Sequence, residues 1–304
     1  MNKLCKIFTL LCCIFSGIIV ITIGILVYSI LYAPLVPENY TKQVKTGGEI
    51  EAKYIANGNY TVKDKSVETN TSAGKISYYY PEEMVNSNKT YPLVIIVNGE
   101  GIFPNKQESL FKHLASWGFI VFGNYDINPI NGKSVGHTLK VIFDYNENKD
   151  NIFYKKVDTN NIGITGFSQG GIGVYNSIID KANNNVFKCA MFLSPQGYNG
   201  EKITNYSFSL INCPFMILTG TIKEDIPFSD IQYLYQNNTS TTKILARKKD
   251  MKHRQMLYYA DGYVTAWLMY YLQKDKEAGL FFNGDYPELL NNTYYQDQQI
   301  SIKN

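Results

Sequence analysis

The stretch NIGITGFSQGG, residues 161–171, commits this chain to more structure than any other segment. Gly166-Phe167-Ser168-Gln169-Gly170 fits the pattern G-x-S-x-G, in which a serine occupies a strained turn between a strand and a helix. The turn is so tight that side chains two residues either side of the serine would collide, so glycine stands at both places. The β-forming run before it, and the segment GGIGVYNSIIDKA after it, are the strand and helix such a turn must join.

The rest of the body repeats that alternation. YPLVIIVNGEG (residues 91–101) is a continuous apolar run ending in glycines, the look of a strand buried on both faces of a parallel sheet. NKQESLFKHLASWG follows with helical spacing and a terminal Gly118 as C-cap. FIVFGNYD reads as the next buried strand and SVGHTLKVIFDYNENKD as an amphipathic helix. After the serine turn, NVFKCAMFLSP, CPFMILTG and TKILARKKD read as strands, and RQMLYYADGYVTAWLMYYLQKDKEA as one long closing helix. Upstream, NYTVKDKSVE and GKISYYYPEE are two strand-like runs with turn residues between them. Strands alternating with helices imply right-handed βαβ units and a mostly parallel sheet with helices on both faces. Ligands in such sheets bind beyond the carboxyl ends of the strands. The tail after Phe282 is polar and is expected to pack loosely.

Residues 7–32 form an apolar run with no charge before Glu38. As a helix it would reach about 39 Å, more than a hydrocarbon core of about 30 Å. A signal-peptide core is usually only about 7–15 residues long, and Leu31-Tyr32-Ala33 is a poor small-x-small cleavage site. Lys3 and Lys6 precede the run, which puts the N-terminus in the cytoplasm and the remainder outside. The expected organisation is a cytoplasmic N-terminus (1–6), an uncleaved transmembrane signal anchor (7–33), a polar tether (34–48) and one domain (49–304). Secretion after signal cleavage is the alternative.

Composition narrows the function classes. The chain has 304 residues, 45% of them hydrophobic, enough for one sizeable domain with its own core. The net charge is +3 with no dense Lys/Arg block, which argues against nucleic-acid binding. Of the five cysteines only Cys189 and Cys213 lie in the body; in an exported domain they could pair or stay as separate buried thiols. With no C-x-x-C spacing and no histidine pair, neither a structural metal nor a cofactor is expected.

A serine hydroxyl is a poor nucleophile until a base accepts its proton, and the base needs an acid to fix its tautomer. Three histidines make the search for the base short. His113 and His137 fall within helices before the serine and read as helix-face or partly buried residues. His253 alone lies after Ser168 and at a strand's carboxyl end. The acid should follow the strand around residues 215–219, where GTIKEDIPFSD offers Glu224 and Asp225; the residues themselves leave both open. An acyl transfer also needs donors for the oxyanion. The Gln169 amide is one, the Glu100 amide in VNGEG is the other, and the Asn98 side chain is a possible third.

These segments together resemble a lidless α/β-hydrolase, near the cutinase-like, polyester-hydrolase, platelet-activating-factor-acetylhydrolase and chlorophyllase-like group. The resemblance spans residues 59–282. It implies an α/β-hydrolase fold, with Ser168 as nucleophile, His253 as base, a loop carboxylate, and the amides of Glu100 and Gln169 as the oxyanion hole. The place where the family commonly has its acid is Lys223 here, which shifts the acid to Glu224 (the nearer by spacing) or Asp225. Where polyester hydrolases carry substrate-clamping aromatics, this chain has Glu100 and Gln196, a polar and negatively charged mouth that argues against aromatic polyesters and anionic substrates. About twenty residues separate Pro195 from Pro214, too few for a cap domain, and an open site favours hydrolysis over transfer. The function expected is a membrane-anchored extracytoplasmic esterase acting on small-molecule or lipid-like esters. A peptidase or acyltransferase with the same triad, or an inactive hydrolase-fold scaffold, are the alternatives.

Overall fold

The computed structural model describes residues 3–183, 185–239 and 241–303. Met1 and Asn2, part of the expected cytoplasmic N-terminus, lie outside the described residues. The chain divides into two compact units, residues 1–35 and 36–304. The first is the helix α1 (Lys3–Tyr32). Its residues 7–28 have a mean hydropathy of 2.9 and are long and apolar enough to cross a membrane.

The second unit is built on one nine-stranded sheet in the order β1-β2-β4-β3-β5-β6-β7-β8-β9. The strands are β1 (Val62–Glu68), β2 (Lys75–Pro81), β3 (Tyr91–Val97), β4 (Ile120–Asn124), β5 (Val157–Phe167), β6 (Phe187–Leu193), β7 (Phe215–Thr219), β8 (Lys243–Lys248) and β9 (Tyr295–Ser301). Strands β3 to β8 are parallel to their neighbours, while β1, β2 and β9 join antiparallel at the two edges. Helices α2 (Tyr40–Gln43) and α3 (Glu49–Ile55) precede the sheet. The connections carry α4 (Glu108–Ser116), α5 (Lys133–Glu147), α6 (Gln169–Ile179), α7 (Phe228–Asn237), α8 (Met256–Tyr259), α9 (Asp261–Gln273) and α10 (Glu288–Asn291).

Period-two alternation sorts the strands' side chains between two helical layers. Ile95, Ile162, Ile164 and Phe192 pack with Val135, Ile142, Ile172 and Leu234 of α5, α6 and α7. On the other face α4 and α9 cover the sheet, with α3 packed on α9, and Gly163 leaves room for Leu268 and Leu272 of α9. The central strands β3, β4, β6 and β7 are therefore buried on both sides, as their apolar runs require. Between β6 and β7 the described residues form only single turns at Tyr198–Gly200, Ile203–Asn205 and Phe208–Leu210, leaving no room for a cap.

Four features differ from the sequence reading. Residues 36–48 are packed rather than a free tether, because Val36, Tyr40 and Val44 are buried apolar side chains that find a place on the domain. The long closing helix breaks at Ala260 into α8 and α9. The Tyr259 carbonyl is taken by the Lys248 ammonium at 2.7 Å. The polar tail does not pack loosely: β9 pairs with β8 and buries Tyr295. Helix α7, whose polar residues hid its short apolar face, fills the β7–β8 connection.

Candidate active site

Strand β5 ends at Phe167 and α6 begins at Gln169, so Ser168 alone makes the turn, with φ 57° and ψ −127°. That conformation suits glycine, and holding serine in it costs about 1–3 kcal/mol. Two close approaches make it possible. A Cβ on Gly166 would stand 2.2 Å from the Gly170 carbonyl oxygen, and one on Gly170 would stand 2.4 Å from the carbonyl oxygens of both Val97 and Asn98. The turn is anchored by the Ser168 N–H donating to the Leu193 carbonyl at 2.9 Å and by the Gln196 N–H donating to the Ser168 carbonyl at 3.1 Å. Ser168 is 8% exposed, so its hydroxyl sits at the bottom of the loops rather than in bulk water.

Three loops at the carboxyl ends of β5, β7 and β8 converge here. Ser168 Oγ lies 3.1 Å from His253 Nε2, and His253 Nδ1 lies 2.8 Å from Glu224 Oε2. A carboxylate only accepts hydrogen bonds, so Nδ1 carries the proton and leaves Nε2 free to accept from serine. The other oxygen of Glu224 accepts the Gly220 N–H at 2.7 Å and the Ser194 hydroxyl at 2.8 Å. The imidazole packs against the Phe167 ring, 4.9 Å between centroids. The chain turns at Lys223 (φ 52°), after which Glu224 reaches back to His253 while Asp225 is exposed to solvent. The two loops are fixed to each other by the Thr221 and Ile222 N–H groups, both donating to the Met251 carbonyl at 3.0 Å.

The loop after β3 closes the other side. Gln169 opens α6, so its N–H belongs to the first turn, where no intrahelical acceptor exists. Its side-chain amide donates to Glu100 Oε2 at 2.7 Å, tying together the two residues expected to border the oxyanion. The Asn98 side chain does not serve as a third donor: it is fully buried and its amide donates to the Asn124 carbonyl.

Two residues that the sequence reading did not place beside Ser168, His253 and Glu224 join them. Ser194 donates its hydroxyl to Glu224, and its only signal is a polar residue at the end of an apolar strand. Gln196, noted before only as a mouth residue, holds its Oε1 3.1 Å from Ser168 Oγ, a second acceptor for the serine hydroxyl. The remaining histidines lie elsewhere. His113 is buried and 2.6 Å from Asp261, and exposed His137 bonds Ser72 at 3.0 Å. Burial alone would lower the His113 pKa, but the Asp261 carboxylate and the carbonyls of Ala56 and Ile55 raise it on balance. Cys189 and Cys213 are buried free thiols, and desolvation pushes Cys213 up to about 12. Among the described residues no group of three or more His, Cys, Asp or Glu side chains could hold a metal ion.

A family model described as PET hydrolase-like matches residues 43–292. No curated protein matches the chain. The matched span takes in strands β1 to β8, the serine turn and the loops that carry Glu224 and His253. The chain therefore belongs to the PET hydrolase-like family of the α/β-hydrolase superfamily, and with it to the ester hydrolases.

Proposed function

We propose that this protein is a membrane-anchored serine esterase whose catalytic domain lies outside the cytoplasm. The reading rests above all on the hydrogen-bonded series Ser168–His253–Glu224 at the end of β5. Ser168 Oγ attacks the acyl carbonyl while His253 Nε2 takes its proton. Glu224 holds the imidazole in the tautomer that can accept and offsets the charge of the imidazolium. The amides of Glu100 and Gln169 stabilise the tetrahedral oxyanion, which in such sites is worth about 10²–10³ in kcat per donor. His253 then protonates the departing alcohol, and water, activated by the same imidazole, releases the acid.

The substrate class follows from the mouth. Glu100 is an exposed carboxylate and Gln196 a half-buried amide, where an aromatic polyester would need flat apolar walls. Neutral carboxylic esters, small or lipid-like, fit this rim better than aromatic polyesters or anions. The absence of a cap between β6 and β7 leaves the acyl-enzyme open to water, which favours hydrolysis over transfer or peptide chemistry. The apolar helix at residues 7–28, with Lys3 and Lys6 before it, supports an anchor with its N-terminus in the cytoplasm.

The test uses the full chain in detergent, treated with a fluorophosphonate probe beside Ser168→Ala, with p-nitrophenyl acetate and butyrate hydrolysis followed in parallel. Labelling and turnover that both vanish in Ser168→Ala are expected. A folded wild-type chain that neither labels nor turns over would leave an inactive scaffold as the better reading.

A further inference from the structure

The loop that carries His253 leaves the sheet at Lys248, the last residue of β8, and returns through α8 to Asp261 at the start of α9. Both ends of this excursion are held by residues from the N-terminal side of the domain. At its neck the Lys248 ammonium lies 2.6 Å from Glu51 Oε1 on α3 and 2.7 Å from the Tyr259 carbonyl on α8. One cation therefore joins the strand before His253 to the helix after it, and Glu51 fixes that cation. Lys248 also lies over the Tyr295 ring, 4.9 Å from its centroid.

Glu51 is itself fully buried and its carboxylate is saturated. Oε1 also accepts the Tyr295 hydroxyl at 3.0 Å, while Oε2 accepts Asn292 at 2.8 Å and the Gly47 N–H at 2.9 Å. A second tie lies one turn further on. Asp261 accepts the Tyr40 hydroxyl at 2.5 Å and faces His113 at 2.6 Å, and the Tyr40 ring meets Tyr258 edge-on at 5.5 Å. Tyr40 and Glu51 belong to the stretch that follows directly on the apolar N-terminal unit.

We propose that residues 36–55 are a positioning element for the base: the Glu51–Lys248 clamp and the Tyr40–Asp261 bond set where His253 stands relative to Ser168 and Glu224. The proposal rests on His253 acting as the base. Neither pair touches the reacting atoms. The clamp acts on the neck of the loop, while the Met251 carbonyl ties the loop's body to the acid loop. With both in place the imidazole has one position between its partners. Releasing the neck lets His253 drift, and a displacement of about 1 Å in such a group costs roughly 10²-fold in rate. Substrate binding, made at the mouth by other loops, is left alone.

The test compares the full chain with Glu51→Gln/Lys248→Met, which removes both buried charges at nearly constant volume, and with Tyr40→Phe, which removes a single hydroxyl. Two readouts are taken. One is steady-state kinetics on p-nitrophenyl butyrate. The other is the low-field proton resonance of the His253 Nδ1–H, assigned by its loss in Glu224→Ala. The expected result is a folded double variant with kcat down about tenfold or more, KM within about twofold, and a shifted or broadened resonance; Tyr40→Phe should show the same changes at about threefold. Lys140→Ala, which breaks the exposed Lys140–Asp144 pair on α5, should change neither readout. Wild-type kcat with an unmoved resonance in the double variant, or in Tyr40→Phe should the double variant not fold, overturns the proposal. A wild-type chain without esterase activity refutes the esterase reading instead, and the resonance alone then decides whether the clamp positions His253.

Discussion

Ser194 donates its hydroxyl to Glu224 at 2.8 Å from the side opposite His253, so the carboxylate is held between a serine and the imidazole it serves. With the Gly220 N–H on the same oxygen, Glu224 has little freedom to turn away. Asp225, one residue on, faces solvent. Glu224→Ala is expected to lower kcat by about 10⁴-fold, since losing the orienting acid leaves the wrong tautomer. Asp225→Ala should stay within about twofold, and Ser194→Ala should fall between them. Kinetics of the three variants on p-nitrophenyl butyrate check this; equal losses at 224 and 225 would remove Glu224 from the assignment.

The turn at Ser168 tolerates no side chain at Gly170. A methyl group there would stand 2.4 Å from two backbone carbonyls, and neither can move without displacing the end of β3 and the loop beyond it. Gly170→Ala should therefore destabilise the domain by about 3 kcal/mol or more, in the range of severe overpacking. Thermal unfolding of the purified variant measures it, and a melting temperature equal to wild type would show that the loop after β3 yields easily.

His113 makes stability depend on pH in a direction that can be worked out. Burial disfavours its charged form, but Asp261 and two backbone carbonyls outweigh burial, so its pKa in the folded chain is raised above 6.5. A raised histidine stabilises fully below the unfolded value and loses that contribution as pH rises through the folded one. The melting temperature should thus decline on going from pH 6 to alkaline pH. Asp261→Asn should flatten this slope. A melting temperature that rises over the same interval would contradict the sign.

Chain length at the N-terminus should matter sharply. A fragment starting at Val36 keeps Tyr40 on Asp261, whereas one starting at Gly48 loses a fully buried tyrosine and the Gly47 bond to Glu51. Losing a buried aromatic costs about 3–5 kcal/mol. That corresponds to a melting temperature lower by roughly 10 °C for a domain of this size. Differential scanning calorimetry of the two fragments distinguishes them, and equal melting temperatures would return residues 36–47 to the status of a tether.

Cys189 and Cys213 are buried and unpaired, with desolvation suppressing their thiolates. Neither should react with a maleimide until the chain is unfolded, and dithiothreitol should leave the melting temperature unchanged. A drop on reduction would reveal a disulfide.

The parallel strands, the serine turn and the membrane-length helix were legible in the sequence because each is written in local terms. A strand buried on both faces must be a continuous apolar run, a turn at positive φ needs glycines at fixed places, and a membrane-length helix must be apolar all round. The short α7 and the edge strand β9 were not, because their few apolar residues acquire a partner only once the sheet is built. Residues 36–48 misled for the same reason: composition shows a polar stretch, and only the folded surface shows where Tyr40 is buried.

Within the candidate site the sequence by itself determined the elbow around Ser168 and left His253 as the histidine expected to serve as base, through chain order and a shortage of histidines. It could not choose between Glu224 and Asp225. That choice depends on which way a side chain leaves a loop, and a single left-handed residue at Lys223 turns Glu224 inward. The partners of Glu224 and the clamp on the His253 loop belong wholly to tertiary structure. Glu51 and Lys248, or Ser194 and Glu224, lie far apart along the chain, and no local pattern records that folding will bring each charged or polar group within hydrogen-bond reach of the other.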